Sequence, residues 1–363
     1  MKKLLAVLLA LALALALSAC GNDKAADTPA ETAAAQTNDK AAGSITVCNW
    51  YDYIDESVLE TFEKETGIHV NYVYATTNEE MYTKLTSGAG SYDVIIPSEY
   101  MVERLMKENR LEELDLSNIP NLANLQPRFQ DPDYDHGCKY SVPYMWGTLG
   151  ILYNTTLVNS EITSWTSLFD PQYAGQIIMM NSVRDTLAIG LALDGTSINT
   201  RDTEKLAKAR DLLIAQKKDN IVGAYMLDET KDKMVAGEAA LAVVYSGDAV
   251  YAITKNDSLK YVIPSEGSNI WVDAMCIPAG AQNKAGAEAF INFMCRDDIA
   301  QLNMDYIGYS SPVTAVAESM DANDPVYYVQ NPTEEETNRC EYYFDVSDIN
   351  DLIEDIWMDI MTA

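Results

Sequence analysis

Histidine is scarce in this 363-residue chain, which has only His69 and His136, well separated in the sequence. The chain also contains no GxSxG, HExxH or P-loop motif and no GxGxxG nucleotide fingerprint. Acid–base and nucleophilic enzymes need such groups at suitable spacing. We therefore expect a binding protein rather than an enzyme, with both histidines structural or solvated.

Positive charge is also in short supply. The chain has 25 Lys and Arg against 55 Asp and Glu, which gives a formal net charge of −30. Such a negative field repels nucleic acid and anionic lipid and attracts small cations. We expect no nucleic-acid partner, although the charge alone names no ligand.

Cysteines with the spacing of metal ligands are missing as well. Six cysteines are present, and setting aside Cys20 near the N-terminus leaves five, an odd number, in the rest of the chain. No CxxC motif or Cys/His cluster accompanies them. We predict no metal site, no cofactor and at least one unpaired thiol.

Residues 1–20 are typical of a signal peptide. Lys2 and Lys3 precede an uninterrupted Leu/Ala/Val run at residues 4–17, which is too short for a comfortable membrane span. The ending Leu17-Ser18-Ala19-Cys20 resembles a bacterial lipobox. That resemblance implies cleavage before Cys20 and a lipid on its sulfur. A plain secretory signal with a chance cysteine is the alternative.

Residues 21–43 contain no aromatic residue and no Ile, Leu or Val. This segment cannot bury a core, so we predict a flexible tether with a root-mean-square span of roughly 25 Å. No later segment is long and apolar enough to span a bilayer. The sequence thus predicts a globular body lipid-anchored at the extracytoplasmic face of a membrane, or located in the periplasm.

The body begins with alternating strand and helix patterns, which argue for an α/β fold with a doubly wound sheet. We predict strands at residues 44–50, 68–75 and 92–97, and helices at residues 56–66, 78–85 and 101–108. In such sheets ligands lie beyond the carboxyl ends of the strands. Five side chains follow strand ends and are expected at one rim: Trp50, Asp52, Tyr53, Ser98 and Tyr100.

Two Trp-x-Asp pairs stand out, Trp50 with Asp52 and Trp271 with Asp273. In an extended segment, residues two apart point to the same side. An aromatic ring beside a carboxylate suits an organic cation, so we expect both pairs to line one pocket. The alternative for each pair is a partly buried Trp next to a solvated Asp.

The second half of the body repeats the arrangement of a strand followed by a polar or aromatic residue. Asp185 follows a predicted strand at residues 177–180, and Tyr245 and Asp248 lie at the end of another at residues 241–245. These three residues repeat the strand-end pattern of the first half. Asp248 has a second interpretation, because it can also cap the helix that follows it.

Eight stretches in order resemble the spermidine/putrescine-binding proteins of bacterial polyamine ABC transporters. The most specific are Asn49-Trp50-Tyr51-Asp52-Tyr53 and Ile270-Trp271-Val272-Asp273. The others are FEKETGI at 62–68, NEEMYTKL at 78–85, YDVIIPS at 92–98, SVPYMWG at 141–147, SWTSLF at 164–169 and IGY at 307–309.

The resemblance implies a two-lobed type II periplasmic-binding-protein fold with a ligand cleft between the lobes. Carried over by position, it also implies ligand contacts for ten residues: Trp50, Asp52, Tyr53, Ser98, Tyr100, Asp185, Tyr245, Asp248, Trp271 and Asp273. Lobe 1 is expected to comprise residues 44–147 and 272–312, and lobe 2 residues 148–271 and 313–363. The implied partners are a polyamine and a membrane-embedded ABC permease, and the implied state is a monomer. Ser182 stands where spermidine binders have Asp, and Tyr245 where the family has Trp.

Other binding functions remain open at this point. A quaternary amine, a thiamine-like cation, an amino acid or a sugar is an alternative ligand, and a sensor or surface adhesin is an alternative role. Four acids in the candidate set favour primary ammonium groups over a quaternary amine. Sequence alone does not rank putrescine against spermidine.

Overall fold

The computed structural model describes residues 43–88 and 91–363. The predicted signal peptide, Cys20 and nearly all of the predicted tether lie outside these residues. Nine strands form the sheet framework of the described part. They are β1 (Gly43–Trp50), β2 (Ile68–Ala75), β3 (Val94–Ile95), β4 (Ser141–Asn154), β5 (Ile177–Met180), β6 (Val222–Met226), β7 (Leu241–Tyr245), β8 (Leu259–Val262) and β9 (Ile270–Cys276).

Helices connect most of these strands. They are α1 (Glu56–Thr66), α2 (Asn78–Thr86), α3 (Glu99–Lys107), α4 (Pro127–Gln130), α5 (Val183–Leu193), α6 (Thr203–Lys218), α7 (Glu229–Val235), α8 (Ser246–Lys255), α9 (Lys284–Met294), α10 (Asp297–Ile307), α11 (Thr314–Ser319), α12 (Tyr327–Gln330), α13 (Glu334–Asn338) and α14 (Asn350–Thr362). Short 3-10 turns lie between several of them.

The first three strands confirm the predicted α/β alternation. β1 is parallel to β2 along its whole length and parallel to β3 on its other side. The connecting helix α1 begins where the Asp55 side chain accepts from the Ser57 N–H, and it ends at Gly67, whose φ of 76° is left-handed. Such caps satisfy the free backbone groups at helix ends. These two caps set where α1 begins and where the chain turns back into β2.

β4 joins two regions of the sheet because its two halves pair with different strands. Its first half is antiparallel to β9, and its second half is antiparallel to β7 and β8. All fourteen residues of β4 are buried. Gly147 lies at the changeover, where an added Cβ would come within 2.6 Å of both the Ser246 Oγ and the Trp271 ring. A larger residue at this position would displace the Trp271 ring.

The apolar cores follow this division. One core collects buried residues from positions 45–146 and 270–316. Two further cores collect residues from positions 149–263 and 326–360. The cores divide near the predicted lobe boundaries, except that Ile270, Val313 and Val316, predicted for lobe 2, pack in the first core. The boundaries remain a proposal.

Five cysteines lie in the described residues, and all five are free: Cys48, Cys138, Cys276, Cys295 and Cys340. Burial raises the pKa of Cys48 to about 11 and that of Cys138 to about 12. Within residues 43–88 and 91–363, no helix combines the length and the apolar character needed to cross a bilayer.

Candidate ligand-binding site

Asp273 is a buried acid among the predicted site residues. It lies on β9, which is extended, and its side chain is 7% exposed. Its carboxylate accepts hydrogen bonds from the Tyr53 hydroxyl at 2.8 Å and from the Ser98 hydroxyl at 2.7 Å. Burial raises the Asp273 pKa to about 6, while these two bonds oppose the rise. The structure thus brings together three of the predicted residues from distant parts of the chain.

Asp185 forms a second buried carboxylate, in the first turn of α5 and only 3% exposed. It accepts from the hydroxyls of Ser182 at 2.5 Å, Tyr245 at 2.8 Å and Tyr343 at 3.1 Å. Burial again raises its pKa, and the hydroxyl bonds oppose the rise. Tyr245 was predicted from the sequence, whereas Tyr343 was not.

A row of aromatic rings links these two carboxylates. The ring centroids of Tyr53 and Tyr309 are 6.0 Å apart, and those of Tyr309 and Trp271 are 4.8 Å apart. The centroids of Trp271 and Tyr245 are 6.2 Å apart. All three pairs meet edge to face. Tyr53 and Tyr245 at the two ends are the same residues that donate to Asp273 and Asp185. We call Tyr53, Tyr309, Trp271 and Tyr245 the aromatic wall.

Asp52 does not have the predicted geometry. β1 ends at Trp50, and Asp52 lies in a turn with a φ of 54° and an exposed side chain. The expectation of an extended segment that points Trp50 and Asp52 to one side is therefore wrong. Asp52 instead accepts a hydrogen bond from the exposed Tyr306 hydroxyl. Tyr53, rather than the Trp50–Asp52 pair, brings this segment to Asp273.

Two other predicted residues have partners within the protein. The Tyr100 hydroxyl lies 3.3 Å from a Glu79 carboxylate oxygen, and the Arg184 guanidinium lies 5.7 Å from the Tyr100 ring centroid. Asp248 lies within the first turn of α8, not ahead of the helix as a cap, and pairs with Lys231 at 3.2 Å. Burial raises the Asp248 pKa, and Lys231 opposes the rise.

Glu99 is a buried acid that the sequence analysis missed. It begins α3, directly after Ser98, and accepts from the Val272 N–H at 3.0 Å and the Tyr343 N–H at 3.2 Å. Burial raises its pKa to about 8, against the effect of those bonds. The Glu99 carboxylate thus binds two backbone segments. One is at Val272, next to Asp273, and the other is at Tyr343, whose hydroxyl donates to Asp185.

The missed residues differ in the signal that the sequence offers. Tyr309 belongs to the IGY stretch at residues 307–309, one of the stretches that carry the family resemblance, and this could have marked it as a site residue. Tyr343 lies in an irregular segment with no strand or helix period, and Glu99 resembles any acid at a helix start. Only the tertiary contacts show that Tyr343 and Glu99 belong to the site.

Chemically, the site offers acceptors and ring faces. Carboxylates held by hydroxyls recognise ammonium groups, and aromatic rings cover methylene chains and attract cations through their faces. Across residues 43–88 and 91–363, no group of three or more His, Cys, Asp or Glu side chains is arranged to hold a metal ion. An α/β body with buried acids along an aromatic wall has the features of a solute-binding protein.

A comparison with protein families also identifies a solute-binding protein. The family described as bacterial extracellular solute-binding protein matches residues 57–331, and the chain belongs to this family.

Individual relatives have more specific names. The spermidine/putrescine-binding periplasmic protein of Salmonella typhimurium is 34% identical over 314 residues, covering 85% of this chain and 89% of the relative. The putrescine-binding periplasmic protein SpuD of Pseudomonas aeruginosa is 31% identical over 312 residues, covering 80% and 83%. The spermidine/putrescine ABC transporter substrate-binding protein PotD of Streptococcus pneumoniae matches in structure with a TM-score of 0.80 and 36% identity, covering 88% and 99%. The predicted two-lobed periplasmic-binding-protein fold is thereby confirmed.

Proposed function

We propose that the protein captures a polyamine, putrescine or spermidine or both, and delivers it to a membrane-embedded ABC permease. The observation behind this proposal is the pair of buried carboxylates, Asp273 and Asp185, joined by the aromatic wall. A polyamine is an apolar rod with ammonium ends, which matches acids at two ends of a ring-lined surface. The names of the relatives support the same class of ligand.

In this proposal Asp273 and Asp185 anchor ammonium groups, and the aromatic wall covers the methylenes between them. Ser98 and Tyr343 orient the two anchors. The other predicted residues, Trp50, Asp52, Tyr100 and Asp248, also belong to the proposed ligand set, although Asp248 is already paired with Lys231. We assign no catalytic step to any of them.

The proposed ligand cleft lies between lobe 1, residues 44–147 and 272–312, and lobe 2, residues 148–271 and 313–363. We further propose that the mature chain is a monomer that begins at Cys20 and is held to the extracytoplasmic face of the membrane by a lipid. Mass spectrometry of the membrane-extracted protein should show an acylated N-terminal cysteine, and an unmodified N-terminus would contradict the anchor.

Isothermal titration calorimetry tests the ligand class directly. The body should be titrated with putrescine, spermidine, an amino acid and a sugar at one pH and one salt concentration. We expect one-to-one binding of at least one polyamine. Heat from the amino acid or sugar, with none from either polyamine, would refute the proposed function.

A further inference from the structure

Lys231 on α7 carries an ammonium group that the proposed function does not use. It pairs with Asp248 at 3.2 Å, and the two side chains are only 31% and 17% exposed. The ammonium also lies 5.6 Å from the Tyr251 ring centroid, and the charges of Asp228 and Asp232 act on it together with that of Asp248. Lys231 is thus held in place from both α7 and α8.

Its partner Asp248 lies next to the aromatic wall. Tyr245 of the wall immediately precedes α8, and the Ser246 hydroxyl accepts from the Thr148 N–H at 3.2 Å. Gly247 packs so closely against Tyr309 that an added Cβ would lie 2.4 Å from its ring. Burial raises the pKa of the Tyr309 hydroxyl, and the nearby charges of Asp248 and Asp273 raise it further. Asp248 is therefore a third acid beside the wall, in addition to Asp273 and Asp185.

The three acids differ in one respect. Among the residues that the structure describes, the side-chain donors to the carboxylates of Asp273 and Asp185 are all hydroxyl groups. Asp248 alone has a lysine ammonium at hydrogen-bond distance. The charge of Arg184 also acts on Asp185, but its guanidinium donates to the Phe344 carbonyl and the Asn199 side chain instead. Asp273 and Asp185 therefore have no protein cation at hydrogen-bond distance, whereas Asp248 is paired with Lys231.

We propose that Lys231 takes the place of a ligand ammonium at Asp248, so that the site selects a diamine over a triamine. This inference rests on the proposed function, because it concerns polyamines in the same site. A diamine brings two charges to two available carboxylates. A triamine brings a third ammonium beside Lys231, where no free acid compensates its loss of hydration.

The experiment compares putrescine and spermidine affinities in the wild type and in Lys231→Met, which frees Asp248. The Kd of spermidine relative to that of putrescine should fall by about tenfold or more, as expected for one added close charge pair. Lys231→Gln removes the charge but keeps a hydrogen-bond donor, so it tests the same change with less risk to folding. Adding Asp248→Asn to Lys231→Met should abolish the gain.

Lys233→Met is the matched control. It removes the same charge from the same helix, but Lys233 is more exposed and pairs with Glu238 at 2.6 Å. The affinity ratio should stay at its wild-type value in this variant. An unchanged ratio in Lys231→Gln, or the same change in Lys233→Met, would overturn the role of Lys231 while leaving polyamine binding established. A wild type that binds neither polyamine would overturn the proposed function, and this inference with it.

Discussion

The Tyr53 hydroxyl donates a 2.8 Å hydrogen bond to Asp273 across 220 positions of sequence. Tyr53 is itself fixed, since the Tyr144 hydroxyl donates to its backbone carbonyl at 2.8 Å. An ionised carboxylate has about four acceptor sites. With Tyr53 and Ser98 on two of them, Asp273 keeps a defined orientation and has acceptor capacity left for an ammonium group.

Asp273→Asn should weaken polyamine binding by two to three decades. The substitution keeps the size of the side chain but removes its charge, and breaking a buried ion pair costs roughly 3–5 kcal/mol. Calorimetry gives the affinity, and the melting temperature shows that the variant is folded. Asp211→Asn is the control, because Asp211 is 67% exposed and pairs only at the surface. A folded Asp273→Asn variant that binds within about threefold of wild type would show that Asp273 is not an anchor.

Polyamine affinity should fall as the pH drops through about 6. Burial raises the pKa of Asp273 to about 6 in the unliganded protein. The ligand requires the ionised form, so binding below this pH must release a proton and is weaker. Affinities measured between pH 5 and 8 should reach a plateau in the upper half of that range. Asp273→Asn should flatten the profile in this window, and an equally steep profile in that variant would assign the titration to another group.

Trp271→Ala should cost less affinity than Asp273→Asn. It removes cation–π attraction and apolar contact, together on the order of 1–3 kcal/mol. Trp357→Ala is a suitable control, because Trp357 packs against Tyr225 at 5.9 Å in another core. Both variants should lower the melting temperature, but only Trp271→Ala should weaken binding. Equal affinities in the two variants would remove Trp271 from the site.

Glu99 should make the unliganded protein less stable as the pH rises. Its folded-state pKa is raised from 4.5 to about 8 by burial. The folded state therefore holds this proton more tightly than the unfolded chain does. The resulting stabilisation is complete below pH 4.5 and is lost as the pH rises through about 8.

Glu99→Gln mimics the protonated form and should lose this dependence. Melting temperatures from pH 5 to 9 should decline more steeply for the wild type than for Glu99→Gln. Glu335→Gln, at an exposed position on α13, should follow the wild type. Parallel curves for the wild type and Glu99→Gln would show that Glu99 does not titrate in this range.

Ligand binding should bring the two lobes closer together. β4 connects the separate cores, because its first residues lie in one core and its later residues in the others. β9 pairs with the first half of β4, so we expect closure to occur about these two strands. Small-angle scattering should give a smaller radius of gyration with saturating polyamine than without it. An unchanged radius would indicate a cleft that is closed before the ligand arrives.

Local patterns predicted the fold well wherever one period continued for several residues. The helix expected at residues 56–66 is α1, and the helix expected at residues 78–85 is α2. The apolar run at residues 92–97 was less reliable, because only Val94 and Ile95 pair as a strand. Strand pairing depends on neighbours that a single segment does not reveal.

The site was predictable where the chain is regular. Trp271 and Asp273 lie two apart on the extended β9 and contribute to one surface, as alternation requires. The same rule failed at Asp52 because the chain turns after Trp50. Tyr343 and Lys231 reach the site through tertiary packing alone, since their own segments contain no motif that marks them.

Because its five described cysteines are all free, the folded body is built without a disulfide between them. Extracellular proteins often depend on such cross-links, whereas this body depends on large apolar cores and continuous strand pairing. Raised pKa values keep buried thiols such as Cys48 and Cys138 protonated, and protonated thiols exchange and oxidise slowly. Folding of the described body therefore requires no oxidation step that joins these five cysteines.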